Sequence, residues 1–295
     1  MTPDRSSSAL PRWLLLSVQA PPAGEEILLV EALRRVGARA VEREGERYLA
    51  LIPGVDDPDR LLRDAEAAIR TGTSLVDPRL AWRWQSRDEW ADAWGRAVAP
   101  LRIGERLVVA PLGSDPTVEE DDLVIRLVPG FGFGTAEHPT TRGCLRLLEP
   151  VVTRGDRIAD IGSGSGILSI AAALLGAAEV VAFEADRHAC ATARENMAQN
   201  GVAERVEVRI EKVKPEGLGD DERFTGITAN LQAEILLPIL SGIARSLTPG
   251  GWIVVSGLHR GERADVLSLC ADADLQLEAE EVDEGWWSAR LRRTG

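Results

Sequence analysis

The residues best placed to do chemistry lie in a glycine-rich stretch near the middle of the chain. Residues 158–166 read IADIGSGSG, so an apolar run containing Asp160 leads into three alternating glycines. A segment rich in Ala and Leu, residues 167–175, follows directly. This order predicts a buried strand, a tight turn and the start of a helix. Such an arrangement holds a nucleotide-like ligand against exposed backbone N–H groups.

The spacing of the glycines distinguishes between classes of ligand. A dinucleotide fingerprint, G-x-G-x-x-G, needs its third glycine at position 167, where this chain has Ile167. The observed pattern of Gly162, Gly164 and Gly166 is G-x-G-x-G, which is typical of methyltransferases that use S-adenosylmethionine. The alternative is a turn that uses glycine only for backbone geometry. We assign Asp160 and the three glycines to a cofactor site.

An acidic residue and an amide end two later predicted strands. Glu184 ends strand 180–184, where a carboxylate can accept hydrogen bonds from both ribose hydroxyls of an adenosine; the alternative is a surface acid. Asp186 is better explained as the N-cap of the next helix. Asn230 ends strand 226–230 and suits contact with the methionine part of the cofactor or orientation of an incoming amine. The alternative is a turn-capping Asn.

A polar segment, residues 134–141, reads GTAEHPTT between two apolar stretches. Its hydroxyl-rich helix start, which includes Thr141, suits the carboxylate of a cofactor. His138 is a candidate general base, although a His before proline commonly serves as a structural turn residue. Glu137 can guide a cationic lysine inward. Asn230, Glu137 and His138 are therefore candidates for positioning the substrate, and no catalytic residue is assigned.

The remaining titratable residues suggest neither a metal site nor disulfides. His188 and His259 lack companions at metal-ligand spacing, so we read both as structural or solvated. The three cysteines, Cys144, Cys190 and Cys270, are odd in number and widely spaced. We expect no metal and a cytoplasmic protein.

The charge of the chain bears on its partners. The 295 residues carry a formal net charge of -13, and the pI is about 4.9. Because affinity for nucleic acid comes mainly from Lys and Arg, we expect no direct nucleic-acid binding and favour a basic protein or a small molecule. No apolar run approaches the roughly 20 residues that span a bilayer. Residues 1–10 are polar and predicted to be a disordered tail.

The elements before residue 86 predict a small α+β module. They follow the order βαββαβ, which is typical of the ferredoxin-like fold, and we predict such a domain over residues 11–85. The predicted strands are 13–18, 38–42, 47–52 and 80–84, with helices at 25–36 and after an N-cap at Asp57. A helical linker is expected over residues 86–100. Its Trp90 and Trp94 lie on one face, which favours packing on a neighbour over contact with substrate.

Residues 101–295 predict the larger domain. Strands at 105–110 and 123–128 are expected to form a hairpin. From residue 157 onward strands alternate with helices, which predicts a doubly wound parallel sheet. The last two strands are joined through Asp283, Glu284 and Gly285, too short a link for a crossover, so they should pair antiparallel. The expected fold is α/β, a Rossmann-like seven-stranded methyltransferase sheet with an antiparallel terminal hairpin.

Three runs of sequence resemble the PrmA family, whose members methylate ribosomal protein L11. These runs are FGT and HPTT within 133–141, DIGSGSGIL at 160–168 and ANL at 229–231. WADAW at 90–94 and GERL at 104–107 are also similar, so the resemblance covers nearly the whole chain, including the N-terminal module that recognises the substrate in the family. It implies S-adenosylmethionine contacts at Thr141, Gly162, Glu184 and Asn230. It also implies methyl transfer to a lysine, or to the N-terminal amine, of a basic ribosomal protein.

The chain departs from the family pattern in three places. The chain has Ala136 and Glu137 where the family usually has Gly-Thr, and Glu184 where the usual acid is Asp. After Asn230 it reads LQA at 231–233 instead of Ile-Leu-Ala. These changes leave cofactor binding intact and bear on the substrate. The alternatives are a methyltransferase of the same fold acting on another protein lysine or a small molecule, and a non-catalytic ribosome-associated protein. A monomer is expected.

Overall fold

The computed structural model of the chain describes residues 13–38, 40–53, 55–85, 99–128, 138–219 and 222–295. By internal contacts the chain divides into two compact units, residues 1–94 and 95–295. The predicted tail at 1–10 and nearly all of the predicted linker, with Trp90 and Trp94, lie outside the described residues, as does Glu137. None of the helices in the described segments is long and apolar enough to cross a membrane.

The described residues of the first unit form a four-stranded antiparallel sheet with two helices, in the sheet order β2-β3-β1-β4. Its elements are β1 (Trp13–Gln19), α1 (Glu26–Arg35), β2 (Ala40–Glu44), β3 (Arg47–Pro53), α2 (Pro58–Gly72) and β4 (Leu80–Gln85). Helix α2 begins as the sequence predicts, because Asp57 accepts a hydrogen bond from the backbone N–H of Arg60 at 3.0 Å. Edge strand β4 exposes Trp82 and Trp84, whose rings contact each other edge to face.

The second unit contains a seven-stranded sheet in the order β10-β9-β8-β11-β12-β14-β13. The strands β8 to β12 are parallel, and β14 is antiparallel to β12 and β13. The elements of this sheet and its helices are α3 (Pro139–Leu148), β8 (Arg157–Ile161), α4 (Ile167–Leu175), β9 (Glu179–Glu184), α5 (Arg187–Gln199), β10 (Val206–Ile210), β11 (Phe224–Asn230), α6 (Ala233–Arg245), β12 (Leu247–His259), α7 (Arg263–Asp272), β13 (Leu275–Asp283) and β14 (Trp286–Arg293). The prediction of an α/β fold with a large, mostly parallel sheet is confirmed.

The terminal hairpin is also confirmed. Strands β13 and β14 pair from Leu275 opposite Arg293 to Asp283 opposite Trp286. Between them Glu284 and Gly285 both have positive φ angles, 51° and 84°, as a two-residue hairpin turn of type I′ requires.

The predicted hairpin of residues 105–110 and 123–128 is wrong. The unit contains a three-stranded sheet of β5 (Leu101–Ile103), β6 (Leu107–Pro111) and β7 (Leu123–Leu127), in the order β5-β6-β7. Strand β6 pairs antiparallel with β5 and parallel with β7. The tight turn through Gly104 gives β6 a nearer antiparallel partner. Residues 112–122 are long enough to return the chain for parallel pairing.

The sheet order creates the place where a ligand can bind. From central strand β8 the chain runs outward through β9 and β10, then crosses back to β11 on the other side of β8. The connections that follow β8 and β11 therefore diverge, leaving a crevice at the carboxyl ends of these two strands. The glycine-rich residues follow β8, and Asn230 ends β11.

Candidate active site

The glycine-rich turn, residues 162–166, links β8 to α4 as the sequence predicts. Gly162, Gly164 and Gly166 all have left-handed backbones, with φ angles of 71°, 55° and 80°. A side chain would be strained at each position, so this turn needs glycine for its geometry. The residue after β11 also packs against the turn, because a Cβ at Gly162 would lie 2.5 Å from Cδ2 of Leu231. The side chain of Leu231 therefore packs directly against the turn at Gly162.

Glu184 lies at the end of β9 and binds this turn directly. Its Oε2 accepts a hydrogen bond from the backbone N–H of Gly164 at 3.0 Å, and its Oε1 accepts one from the N–H of Asp186 at 2.9 Å. Each carboxylate oxygen retains a further lone pair for a ligand donor. Asp186 itself accepts a hydrogen bond from the N–H of His188 at 2.8 Å, which confirms it as the N-cap of α5.

Asp160 is directed into the protein rather than toward solvent. It is 1% exposed, and its oxygens accept hydrogen bonds from the hydroxyls of Ser169 at 2.6 Å and Thr228 at 2.7 Å. Burial raises the pKa of this carboxyl group, against the lowering effect of the two hydroxyls. Asp160 thus ties β8 to α4 and β11, and its assignment to the cofactor site stays a prediction.

Three buried polar atoms in α3, in the glycine-rich turn and at the end of β11 have no hydrogen-bond partner among the described residues. They are Oγ1 of Thr141, Oγ of Ser163 and Oδ1 of Asn230. A buried polar atom without a partner costs about 1–3 kcal/mol, so such atoms mark where a ligand or a water molecule belongs. Thr141 and Asn230 were named from the sequence. Ser163 was not, although its place between two loop glycines was a usable signal.

Helix α3 carries Thr141 in its first turn, and His138 begins that helix. Nδ1 of His138 accepts a hydrogen bond from the backbone N–H of Thr140 at 3.3 Å and lies 2.8 Å from the Thr140 hydroxyl. The imidazole is therefore the N-cap of α3. Its ring also contacts the edge of Trp286, with centroids 5.3 Å apart, and Trp286 stacks on His259 at 4.1 Å.

The cysteines and the candidate metal ligands play no visible part in this site. Within the described ranges no group of three or more His, Cys, Asp or Glu side chains is arranged to hold a metal ion. Cys144, Cys190 and Cys270 are buried free thiols. Burial raises the pKa of all three, that of Cys270 to about 12.

Comparison with known proteins identifies the family. A family model described as "Ribosomal protein L11 methyltransferase (PrmA)" matches residues 18–294. The chain belongs to this family.

Individual members of the PrmA family match over most of their length. The ribosomal protein L11 methyltransferase of Symbiobacterium thermophilum is 36% identical over 276 residues, covering 94% of this chain and 80% of the relative. That of Heliobacterium modesticaldum is 38% identical, covering 95% of this chain and 83% of the relative. The crystal structure of a ribosomal protein L11 methylase from Lactobacillus delbrueckii subsp. bulgaricus superposes with a TM-score of 0.61 at 29% identity. It covers 67% of this chain and 100% of that chain.

The site of this PrmA-family chain fits a nucleoside cofactor with a polar tail. Glu184 offers acceptor lone pairs, and the unpaired atoms of Ser163, Thr141 and Asn230 offer further polar contacts. The backbone N–H groups that the sequence predicts to be exposed donate within the protein instead. Those of Gly162 and Ser163 bind the carbonyl of Phe183, that of Gly166 binds the carbonyl of Ser163, and that of Gly164 binds Glu184. Asn230 ends β11, which pairs directly with β8, the strand that precedes the glycine-rich turn. The assignments of individual side chains to the cofactor remain predictions.

Proposed function

We propose that this protein transfers the methyl group of S-adenosylmethionine to an amino group of ribosomal protein L11. Its membership of the PrmA family supports the reaction and the substrate. The single structural observation that carries the proposal is the set of unpaired buried oxygens on Thr141, Ser163 and Asn230, beside a glycine turn at a topological switch point.

Two sets of residues would hold the cofactor. The glycine turn and Glu184 would hold the adenosine part, with the carboxylate accepting hydrogen bonds from the ribose hydroxyls. Thr141, Ser163 and Asn230 would hold the methionine part. The bound cofactor supplies a methyl group on a positively charged sulfur, which is already activated for transfer. The protein then needs above all to align the acceptor amine, because positioning alone can contribute about 7–11 kcal/mol.

Proton removal asks little of the protein. A lysine amine has a normal pKa of about 10.4 and must be neutral to attack. A buried setting and a nearby positive charge both lower that pKa, so no strong base is needed.

Three side chains are candidates for positioning the acceptor. Asn230 Oδ1 can accept a hydrogen bond from the amine and so direct the lone pair of the amine nitrogen. His138 is committed to capping α3 through Nδ1, which argues for a positioning role. Glu137 stays a candidate for guiding a lysine inward.

The first unit would recognise the substrate. Its strand order, β2-β3-β1-β4, and its βαββαβ sequence of elements support a ferredoxin-like domain over residues 11–85. Residues 1–10 would be a tail, 86–100 a linker and 101–295 the methyltransferase domain. Because the chain is acidic, it suits a basic ribosomal protein as its substrate. For the same reason we infer that the chain does not bind nucleic acid directly. We place this reaction in the cytoplasm and assign it to a monomer.

The test is methylation of purified, unmethylated L11 with labelled S-adenosylmethionine, followed by mass spectrometry of the products. The expected result is label on one or more amines of L11. Label on other proteins of a ribosomal extract, with L11 unlabelled, would support the alternative of a different protein lysine. If the protein binds the cofactor but transfers the methyl group to no protein or small amine, the proposal that it is an enzyme is contradicted.

Asn230→Ala separates the two roles open to that residue. If Asn230 binds the methionine part, the KM for the cofactor rises. If it orients the amine, kcat falls while the cofactor KM stays within about twofold of the wild-type value.

A further inference from the structure

The tip of the terminal hairpin packs against the first half of α3. This helix carries Thr141 and is capped by His138, so the position of its first turn sets both residues. The hairpin tip lies at the carboxyl end of β12, where Trp286 pairs with His259. It therefore borders the edge of the sheet on which the candidate site is built.

Ion pairs join the two elements. Nε of Arg142 lies 2.8 Å from Oδ2 of Asp283, and its Nη2 lies 2.9 Å from Oε1 of Glu284. Arg146, one turn further along α3, lies 3.5 Å from the same Asp283 oxygen. The side chains of Arg142 and Asp283 are only 15% and 23% exposed, so this pair is shielded from solvent more than an ordinary surface pair. The hydrogen bond from Arg142 also lowers the pKa of Asp283, which keeps it ionised.

Aromatic contacts join the same two elements at the cap. The ring of Trp286 lies between those of His138 and His259, with centroid distances of 5.3 Å and 4.1 Å. Trp286 is the first residue of β14, and His259 is the last of β12. The indole therefore connects the end of the parallel part of the sheet to the N-cap of α3.

Helix α3 and β14 pack closely next to these contacts. A Cβ at Gly143 would overlap the hydroxyl of Ser288, so the second turn of α3 packs directly on the side chain of Ser288. Ser288 in turn lies 2.7 Å from the hydroxyl of Ser256 on β12. Because no space is left between α3 and β14 at this point, a shift of the hairpin tip moves the start of α3 with it.

We propose that Asp283 and Trp286 are positioning residues for methyl transfer. Through Arg142 and His138 they fix the first turn of α3, and so set Thr141 against the cofactor and His138 against the acceptor. The inference rests on the proposed function, because it gives these two residues a role only if Thr141 and His138 border the reacting groups.

The same hairpin provides a matched control at its other end. Glu278 of β13 pairs with Arg290 at 3.2 Å and Arg292 at 2.7 Å. Arg290 also donates a hydrogen bond to the carbonyl of Leu147, in the last turn of α3. Glu278→Gln therefore weakens an ion pair within the same hairpin, one of whose arginines also contacts the same helix, but away from the helix start.

The experiment compares Asp283→Asn, Trp286→Leu, Trp286→Phe and Glu278→Gln with the wild-type protein. Calorimetry measures the Kd for S-adenosylhomocysteine, steady-state kinetics measure kcat and KM with L11, and thermal melting checks the fold. We expect Asp283→Asn to raise the Kd about fivefold and Trp286→Leu to lower kcat about tenfold, since small displacements have large kinetic effects. Trp286→Phe, which keeps a ring, should restore kcat to within about threefold of the wild-type value. Glu278→Gln should match the wild-type protein in Kd and kcat.

Equal effects of Asp283→Asn and Glu278→Gln would overturn the proposal, as would a Trp286→Leu protein with unchanged kcat. If the wild-type protein neither binds S-adenosylhomocysteine nor methylates L11, the proposed function fails separately. Hydrogen exchange at the amides of Thr141 and Arg142 then decides the positioning claim. Faster exchange in Asp283→Asn than in Glu278→Gln supports it, and equal rates overturn it.

Discussion

The side-chain amide of Asn196 donates a hydrogen bond to the carbonyl of Ser165 in the glycine turn, at 2.9 Å. Its Oδ1 accepts one from the backbone N–H of Val128, just beyond β7, at 2.8 Å. Asn196 is fully buried, so water has no access to either bond. Asn200, the C-cap that follows α5, makes a similar pair of bonds with the backbone of Arg126 but is only partly buried. Helix α5 thus connects the β7 segment to the loop of the candidate site.

Asn196→Ala should lower the free energy of unfolding by about 2–4 kcal/mol, because it leaves two buried backbone groups unpaired. Asn200→Ala should have a smaller effect, since water can reach its partners. Urea unfolding measures both. The binding of S-adenosylhomocysteine should weaken only in Asn196→Ala. An equal loss of affinity in the two variants would contradict a specific link to the glycine turn.

Glu184→Gln should weaken S-adenosylhomocysteine binding about tenfold or more, which corresponds to about 1.4 kcal/mol or more. The carboxylate now accepts hydrogen bonds from both Gly164 and Asp186, whereas an amide offers only one acceptor oxygen. One backbone N–H would then face an NH2 group. Calorimetry measures the affinity, and Glu204→Gln on the exposed surface is a suitable control. Unchanged affinity in Glu184→Gln would remove this residue from the site.

Gly162→Ala should destabilise the protein more than Gly250→Ala. Both glycines have similar backbones, with φ angles of 71° and 74°, and the strain of Ala there is about 1–2 kcal/mol. Only at Gly162 does a Cβ meet a neighbour, Leu231, whereas the space at Gly250 is open. Overpacking should add about 1–3 kcal/mol. Thermal or urea unfolding gives the difference, and adding Leu231→Ala to Gly162→Ala should recover part of it. No recovery would show that the clash lies elsewhere.

The ion pair of Glu278 predicts a pH dependence of stability. Hydrogen bonds from Arg292 and Arg290 lower the pKa of Glu278 in the folded protein. The stabilisation is therefore fully present above the unfolded pKa of about 4.3 and is lost as the pH falls through the lowered pKa. Wild-type protein should exceed Glu278→Gln by at most about 1 kcal/mol at pH 7. Urea titrations at pH 7, 5 and 3 should show this difference shrinking only at the lowest pH; a constant difference would contradict the linkage.

Much of the fold follows from local patterns that the sequence displays. The glycine turn, the N-caps Asp57 and Asp186 and the terminal hairpin each depend on a few adjacent residues. The partnership of β5, β6 and β7 does not, because the choice between two possible partners for β6 depends on contacts between distant segments.

The candidate site was predictable to the extent that it depends on strand ends. Glu184 and Asn230 follow recognisable strands, so the rule for parallel sheets locates them. Asn196 and Asp283 lie in a helix and a hairpin with no chemical signature of their own. Their relation to the site arises only when α5 meets the glycine turn and the hairpin meets α3.

The burial of all three thiols has a practical consequence. Cys144, Cys190 and Cys270 lie in α3, α5 and α7 of the second unit, and the chain has no other cysteines. A thiol reagent reacts with an accessible thiolate, whereas burial keeps the reagent away from the sulfur and keeps the thiol protonated. Alkylation must therefore wait for a helix to open, and mass spectrometry can identify which cysteine was modified. The three thiols therefore report separately on the opening of three different helices of the second unit.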